Sequence, residues 1–146
     1  KKISCKLMKI LIINGANLSN IGQREVEIYG KDDFLVYLES LKSEFYEFEI
    51  SYFQSHVEGE IVSKLHSSNG KVDGIVLNAG AFSHTSVAIR DAIAAIKTPV
   101  VMLHISNVYA REKFRANNII APVCRGIITG FGLLSYKLAL ESFKNL

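Results

Sequence analysis

Five short runs rich in aliphatic and β-branched residues recur along this chain, and stretches with apolar residues at helical spacing separate most of them. LMKILII (7–13), VDGIVLN (72–78), PVVMLHI (99–105) and GIITG (126–130) are largely apolar, whereas EFEISYF (47–53) alternates like a half-buried strand. Near-continuous apolar strands are what a parallel sheet covered on both faces requires. The stretches 32–46, 58–68, 85–97 and 133–146 read as helices. Asp32 or Asp33 can cap the first of them and Thr85 or Ser86 the third, while Asn69-Gly70 and Thr98-Pro99 close the second and third. The order is βαβαβαβ, an irregular stretch, then βα. It predicts an α/β, flavodoxin-like three-layer sandwich with a five-stranded parallel sheet in the order 2-1-3-4-5.

A chain of 146 residues is of single-domain size and can bury a core without disulfide or metal staples. The reading is one catalytic domain over 7–146, preceded by a short leader over 1–6. Lys9 interrupts the N-terminal apolar run, so that run reads as a buried strand rather than a signal peptide. No apolar run reaches membrane-spanning length. Two cysteines, Cys5 and Cys124, do not make a disulfide framework, and a reducing cytoplasm is the simpler expectation. The net charge of +3 suits an acidic small molecule, and no basic stripe with interleaved aromatics points to nucleic acid.

In open parallel sheets, ligands bind beyond the carboxyl ends of the strands, near the switch in strand order. Three strand ends deliver polar residues there: NGAN (14–17), NAGAFSHTS (78–86) and HISN (104–107). Asn-Gly after one strand is ordinarily only a turn; three such ends on one rim predict a site. The connection LSNIGQREVEIYG (18–30) is longer than most βα loops and reads as a candidate lid, with Gly22 and Gly30 as possible hinges. It contains Arg24 and Tyr29. A tyrosine needs help to act as a base at neutral pH, and a neighbouring guanidinium favours the phenolate. The pair therefore forms a candidate general-base unit, against the plain alternative of a solvated loop. His104 ends the fourth strand beside Ser106 and Asn107. It is either a structural hydrogen-bonder or a general acid.

Other motifs carry less. His56, Glu58 and Glu60 lack a second cluster with metal-ligand spacing, so no metal is expected. GFGLLS (130–135) follows the last strand and lacks the third glycine of a dinucleotide fingerprint; it reads as close helix–sheet packing. Ser83-His84 is not a nucleophile elbow. Asn17-Leu18-Ser19 matches a glycosylation sequon but has no meaning in a cytoplasmic chain. Arg111 and Arg115 lie four apart and could share one helical face, either for a substrate carboxylate or hydroxyls or as a solvated surface.

These motifs together resemble the type II 3-dehydroquinate dehydratases, over about Met8 to Tyr136. The resemblance rests on ILIINGANLSNIGQREVEIYG, SYFQSHVEGEIV, VDGIVLNAGAFSHTSVAIRDAI, VVMLHISNVYAREKFR and APVCRGIITGFG, in that order. It implies a lyase of the shikimate pathway that converts 3-dehydroquinate to 3-dehydroshikimate by anti elimination, without cofactor, Schiff base or metal. Tyr29 would take the C2 proton, and Arg24 would keep Tyr29 ionised. Asn17 would hold a water at the enolate. His104 would protonate the departing C1 hydroxyl, oriented by Asn78. The backbone amides of Ile105 and Ser106 would receive the carboxylate, and His84 and Arg115 would contact ring hydroxyls. Asp91 would reach a neighbouring subunit's site in a dodecamer built from trimers.

The chain departs from the family pattern in several places. Ala16, Val26 and Ala79 stand where prolines are usual, which should loosen three turns. Ser135 replaces a usual glycine. Met102 replaces a glutamate that commonly supports the catalytic histidine, and methionine cannot stabilise an imidazolium as a carboxylate does. Either another acceptor serves His104 or it is a poorer acid, with lower turnover. Two other readings stand beside the lyase. One is a flavodoxin-like module for a mononucleotide or flavin, which leaves Arg24 and Tyr29 unexplained. The other is a catalytically impaired homologue kept as a scaffold.

Overall fold

The computed structural model describes residues 6–19 and 34–146. Strands β1 (Met8–Asn14), β2 (Phe48–Gln54), β3 (Gly74–Asn78), β4 (Val100–His104) and β5 (Gly126–Thr129) form one sheet in the order β2-β1-β3-β4-β5. Every pairing is parallel. The helices are α1 (Phe34–Glu44), α2 (Glu58–Ser68), α3 (Val87–Ala95) and α4 (Leu134–Phe143). The expected sheet order is the observed one, and each anticipated element lies within a few residues of its predicted bounds. Asp32 and Asp33, offered as caps for the first helix, lie outside the described residues.

Alternation along the strands builds the layers. Ile10 and Ile12 of β1 turn to one face, where Phe34, Leu38 and Leu41 of α1 meet Tyr136, Leu140 and Phe143 of α4. Leu11 and Ile13 turn to the other, against Ile61 and Leu65 of α2 and Ile89 and Ile93 of α3. Each fully buried side chain of this kind contributes roughly 1.5–3 kcal/mol. Because β1 and β3 are buried on both faces, their runs are almost unbroken in apolar character.

Two local devices set the carboxyl rim. Ser86 caps α3, its Oγ accepting from the Ile89 amide at 2.9 Å, so the helix starts immediately after the turn that follows β3. The irregular stretch between β4 and β5 forms three short 3-10 turns, Val108–Ala110, Lys113–Ala116 and Ala121–Val123. It is tied down by Arg90 of α3, whose Nη1 donates to the Ile119 carbonyl at 2.6 Å, and by the Ile119 amide, which donates to the Ser83 carbonyl at 2.9 Å.

Candidate active site

Three strand ends meet at a cavity of about 400 Å³. Residues 16–18 after β1, Asn78, Gly80, Ala81 and His84 at and after β3, and residues 104–106 at and after β4 line it, with Val108, Arg111 and Arg115 from the irregular stretch. The β1 and β3 turns pack so closely that a Cβ on Gly15 would fall 2.7 Å from the Ala79 carbonyl oxygen. The Gly15 amide donates to the Asn78 carbonyl at 2.8 Å, locking the two turns together. Gly80 takes a positive φ of 59°, which a side chain rarely tolerates. Asn17 also adopts the left-handed region, with φ 64°, and its amide donates to His56 Nδ1 at 3.0 Å. His56, weighed as a metal ligand, thus spends one ring nitrogen on the turn that carries Asn17. Glu60 is likewise engaged, accepting from Ser55 Oγ. Among the described residues, no three His, Cys, Asp or Glu side chains converge as a metal would require.

Asn78 ends β3 fully buried and held from several directions. Its Oδ1 accepts from the Gly80 amide at 3.3 Å, and its Nδ2 donates to Tyr136 Oη at 3.0 Å. Tyr136 in turn donates to Asn14 Oδ1 at 2.7 Å, and Asn14 Nδ2 donates to Tyr52 Oη at 3.3 Å. Four buried or half-buried side chains therefore form one chain of hydrogen bonds beneath the cavity. Burial raises the Tyr136 hydroxyl far above the ordinary tyrosine range, so it remains a neutral donor and acceptor.

His104, at the end of β4, is buried, and its Nε2 lies 3.2 Å from Ser83 Oγ and 3.3 Å from Asn118 Nδ2. Its ring stacks on His84, with centroids 5.5 Å apart and planes 2° apart. His84 is held by its own Nδ1, which donates to the Asn117 carbonyl at 3.0 Å. Burial, then His84, Arg115 and Arg111, push the His104 pKa down to about 4. In this state the ring is neutral at physiological pH. Among the described residues, two arginines and no carboxylate line the cavity, and Glu112, outside it, holds Arg115 Nε at 2.6 Å. This electrostatic setting favours an anionic guest. Arg111 and Arg115 do not share a helix as their spacing suggested: Arg111 follows one 3-10 turn and Arg115 lies in the next, yet both reach the cavity.

Of the residues anticipated from sequence, Asn17, Asn78, His84, His104, Ile105, Ser106 and Arg115 line this one cavity. Asp91 lies on the exposed side of α3, away from it. Arg24 and Tyr29 lie outside the described residues, as do Gly22, Val26 and Gly30. Sequence reasoning passed over Ser83, Asn118 and Tyr136 as site supports. Tyr136 carried a weak signal, because a buried tyrosine needs a partner for its hydroxyl. Asn118 carried none. Cys124 is no nucleophile: burial pushes its thiol up to about 12.

A doubly covered parallel sheet with a cationic, His- and Asn-bearing cavity at its carboxyl rim defines an α/β enzyme for a small anionic substrate. The family model for class II dehydroquinases matches residues 8–144, and the chain belongs to that family. A 3-dehydroquinate dehydratase of Nitratiruptor sp. is 50% identical over 139 residues, covering 91% of this chain and 86% of the relative. One from Campylobacter jejuni subsp. doylei is 51% identical, covering 95% and 93%. The crystal structure of type II dehydroquinase from Butyrivibrio crossotus superposes with a TM-score of 0.84 at 40% identity, covering 95% of this chain and 99% of that one.

Proposed function

We propose that this chain dehydrates 3-dehydroquinate to 3-dehydroshikimate, in the shikimate pathway to aromatic amino acids. The observation that carries this reading is that His104 and Asn78 line one cavity in which, among the described residues, two arginines and no carboxylate are found. The substrate carboxylate docks on the Ile105 and Ser106 amides in that cationic setting, and His84 and Arg115 contact ring hydroxyls. Tyr29, ionised beside Arg24, removes the C2 proton, and the resulting enolate is met by a water held by Asn17. The C2–H electron pair then forms the C1–C2 double bond as the C1–O bond breaks. His104 supplies the proton that makes the departing oxygen water, with Asn78 orienting both. The departure is anti.

The domain over 7–146 acts as one catalytic unit in the cytoplasm. Among the described residues no helix is long and apolar enough to cross a membrane. Trimers assemble into a dodecamer, in which Asp91 serves a neighbouring site; its exposed position on α3 is consistent with that role. A solution mass corresponding to a monomer would remove the role of Asp91.

The test is the growth of conjugated-enone absorbance when the protein meets 3-dehydroquinate. Tyr29→Phe is expected to abolish turnover while retaining substrate binding. Folded wild-type protein that gives no enone at high concentration would instead be a scaffold.

A further inference from the structure

The support of His104 in this chain is unlike the carboxylate that its family resemblance implies, because Met102 stands at that place and is buried. The group that occupies the position against the ring is the side-chain amide of Asn118. Its Nδ2 lies 3.3 Å from His104 Nε2 and 3.4 Å from Met102 Sδ. Its Oδ1 accepts from two backbone amides, those of Ile120 and Ala121, each at 3.0 Å. Those two donors decide which way the amide faces: turned over, Asn118 would point its NH₂ group at two N–H groups. The flanking backbone is anchored as well, by His84 at the Asn117 carbonyl and by Arg90 and Ser83 at Ile119. Asn118 therefore presents a fixed donor to Nε2.

Ser83 competes for the same nitrogen. Its hydroxyl donates to the Gly80 carbonyl at 2.6 Å, and in that orientation its oxygen could only accept from a protonated Nε2. The two neighbours thus ask for opposite protonation of Nε2. A hydroxyl rotates about one bond and can turn its proton toward Nε2, whereas the Asn118 amide cannot reverse without breaking two hydrogen bonds. A protonated Nε2 would leave a pinned amide donor facing another donor, at the cost of an unsatisfied polar group. We propose that Asn118 is a positioning residue that holds the His104 ring in the tautomer carrying its proton on Nδ1. Among the described residues Nδ1 has no hydrogen-bond partner, so this is the nitrogen left to serve the cavity. The depressed pKa of His104 is consistent with this arrangement, since burial, His84, Arg115 and Arg111 keep the ring neutral and make its tautomer matter. The inference rests on the reading of His104 as proton donor, with Nδ1–H passing its proton to the departing oxygen and the ring retaining the bonding pair.

The test is a long-range ¹H–¹⁵N correlation spectrum at neutral pH on protein labelled at histidine, with His104 assigned by its loss in His104→Gln. Wild-type protein is expected to show a protonated-type shift at Nδ1 and an unprotonated-type shift at Nε2. Asn118→Asp keeps an oxygen for the Ile120 and Ala121 amides but replaces the donor with an acceptor; Nε2 is expected to move to a protonated-type shift. Met102→Leu removes only the sulfur contact and is expected to keep the wild-type pattern. A protonated Nε2 in the wild type, or an unchanged pattern in Asn118→Asp, overturns the proposal. The spectra need no turnover, so they are independent of the enone assay that tests the reaction itself.

Discussion

The His84 and His104 imidazoles lie face to face, with ring centroids 5.5 Å apart. Arg111 and Arg115 share the cavity with them. A proton added to His104 meets burial first and then three basic neighbours, which holds its pKa near 4. In the unfolded chain the same residue titrates in the ordinary histidine range. The unfolded state therefore takes up a proton that the folded state refuses, and native stability falls as the pH drops through that window. Between pH 7 and pH 5 the expected loss from this residue is about 2 kcal/mol. Urea unfolding of wild type and His104→Asn at both values checks it: the variant is expected to lose less stability than wild type by that amount.

Tyr136→Phe is expected to weaken both stability and turnover. It removes a hydroxyl that accepts from Asn78 and donates to Asn14, all within the buried layer. Leaving a buried donor and a buried acceptor unpaired costs roughly 1–3 kcal/mol for each group. Thermal unfolding reads the first effect. A kcat reduced beyond any change in KM reads the second, because Asn78 loses the contact that aims it.

Gly15→Ala is expected to be destabilising by roughly 1–3 kcal/mol, the usual range for overpacking. The added Cβ would lie 2.7 Å from the Ala79 carbonyl oxygen, and both partners are backbone, so neither can swing aside. The β1 and β3 turns must separate, which carries Asn17 away from Asn78. Denaturant midpoint and KM are the measurements.

Met102→Glu tests the missing carboxylate. A negative charge near the Asn118 amide and His104 favours the imidazolium, so the His104 pKa is expected to rise from about 4, followed by NMR titration. Met102 is buried, so the new charge is also expected to lower the thermal midpoint at neutral pH. If His104 is now a poorer acid than its family counterparts, kcat rises in this variant; an unchanged kcat shows that Asn118 already supplies what the reaction needs.

Apolar patterning along the chain is enough to specify the layers and the rim. Strand runs apolar throughout can only be buried on both faces, and helices spaced between them can only cross over to make a parallel sheet. That logic places Asn14 to Asn17, Asn78 and His104 at one edge. The motif pattern then supplied the reaction, because a family resemblance records chemistry that periodicity does not. How those residues are held depends on contacts made in the packed fold. Tyr136 meets Asn14 from 122 positions away, and Asn118 meets His104 from a stretch with no regular periodicity. Such contacts depend on the docking of an irregular segment through Arg90 and Ser83, and on the direction in which a side-chain amide is pinned. Neither leaves a spacing in the chain. Met102 read in sequence as a loss of support for His104; the fold shows that an amide donor stands beside the same ring.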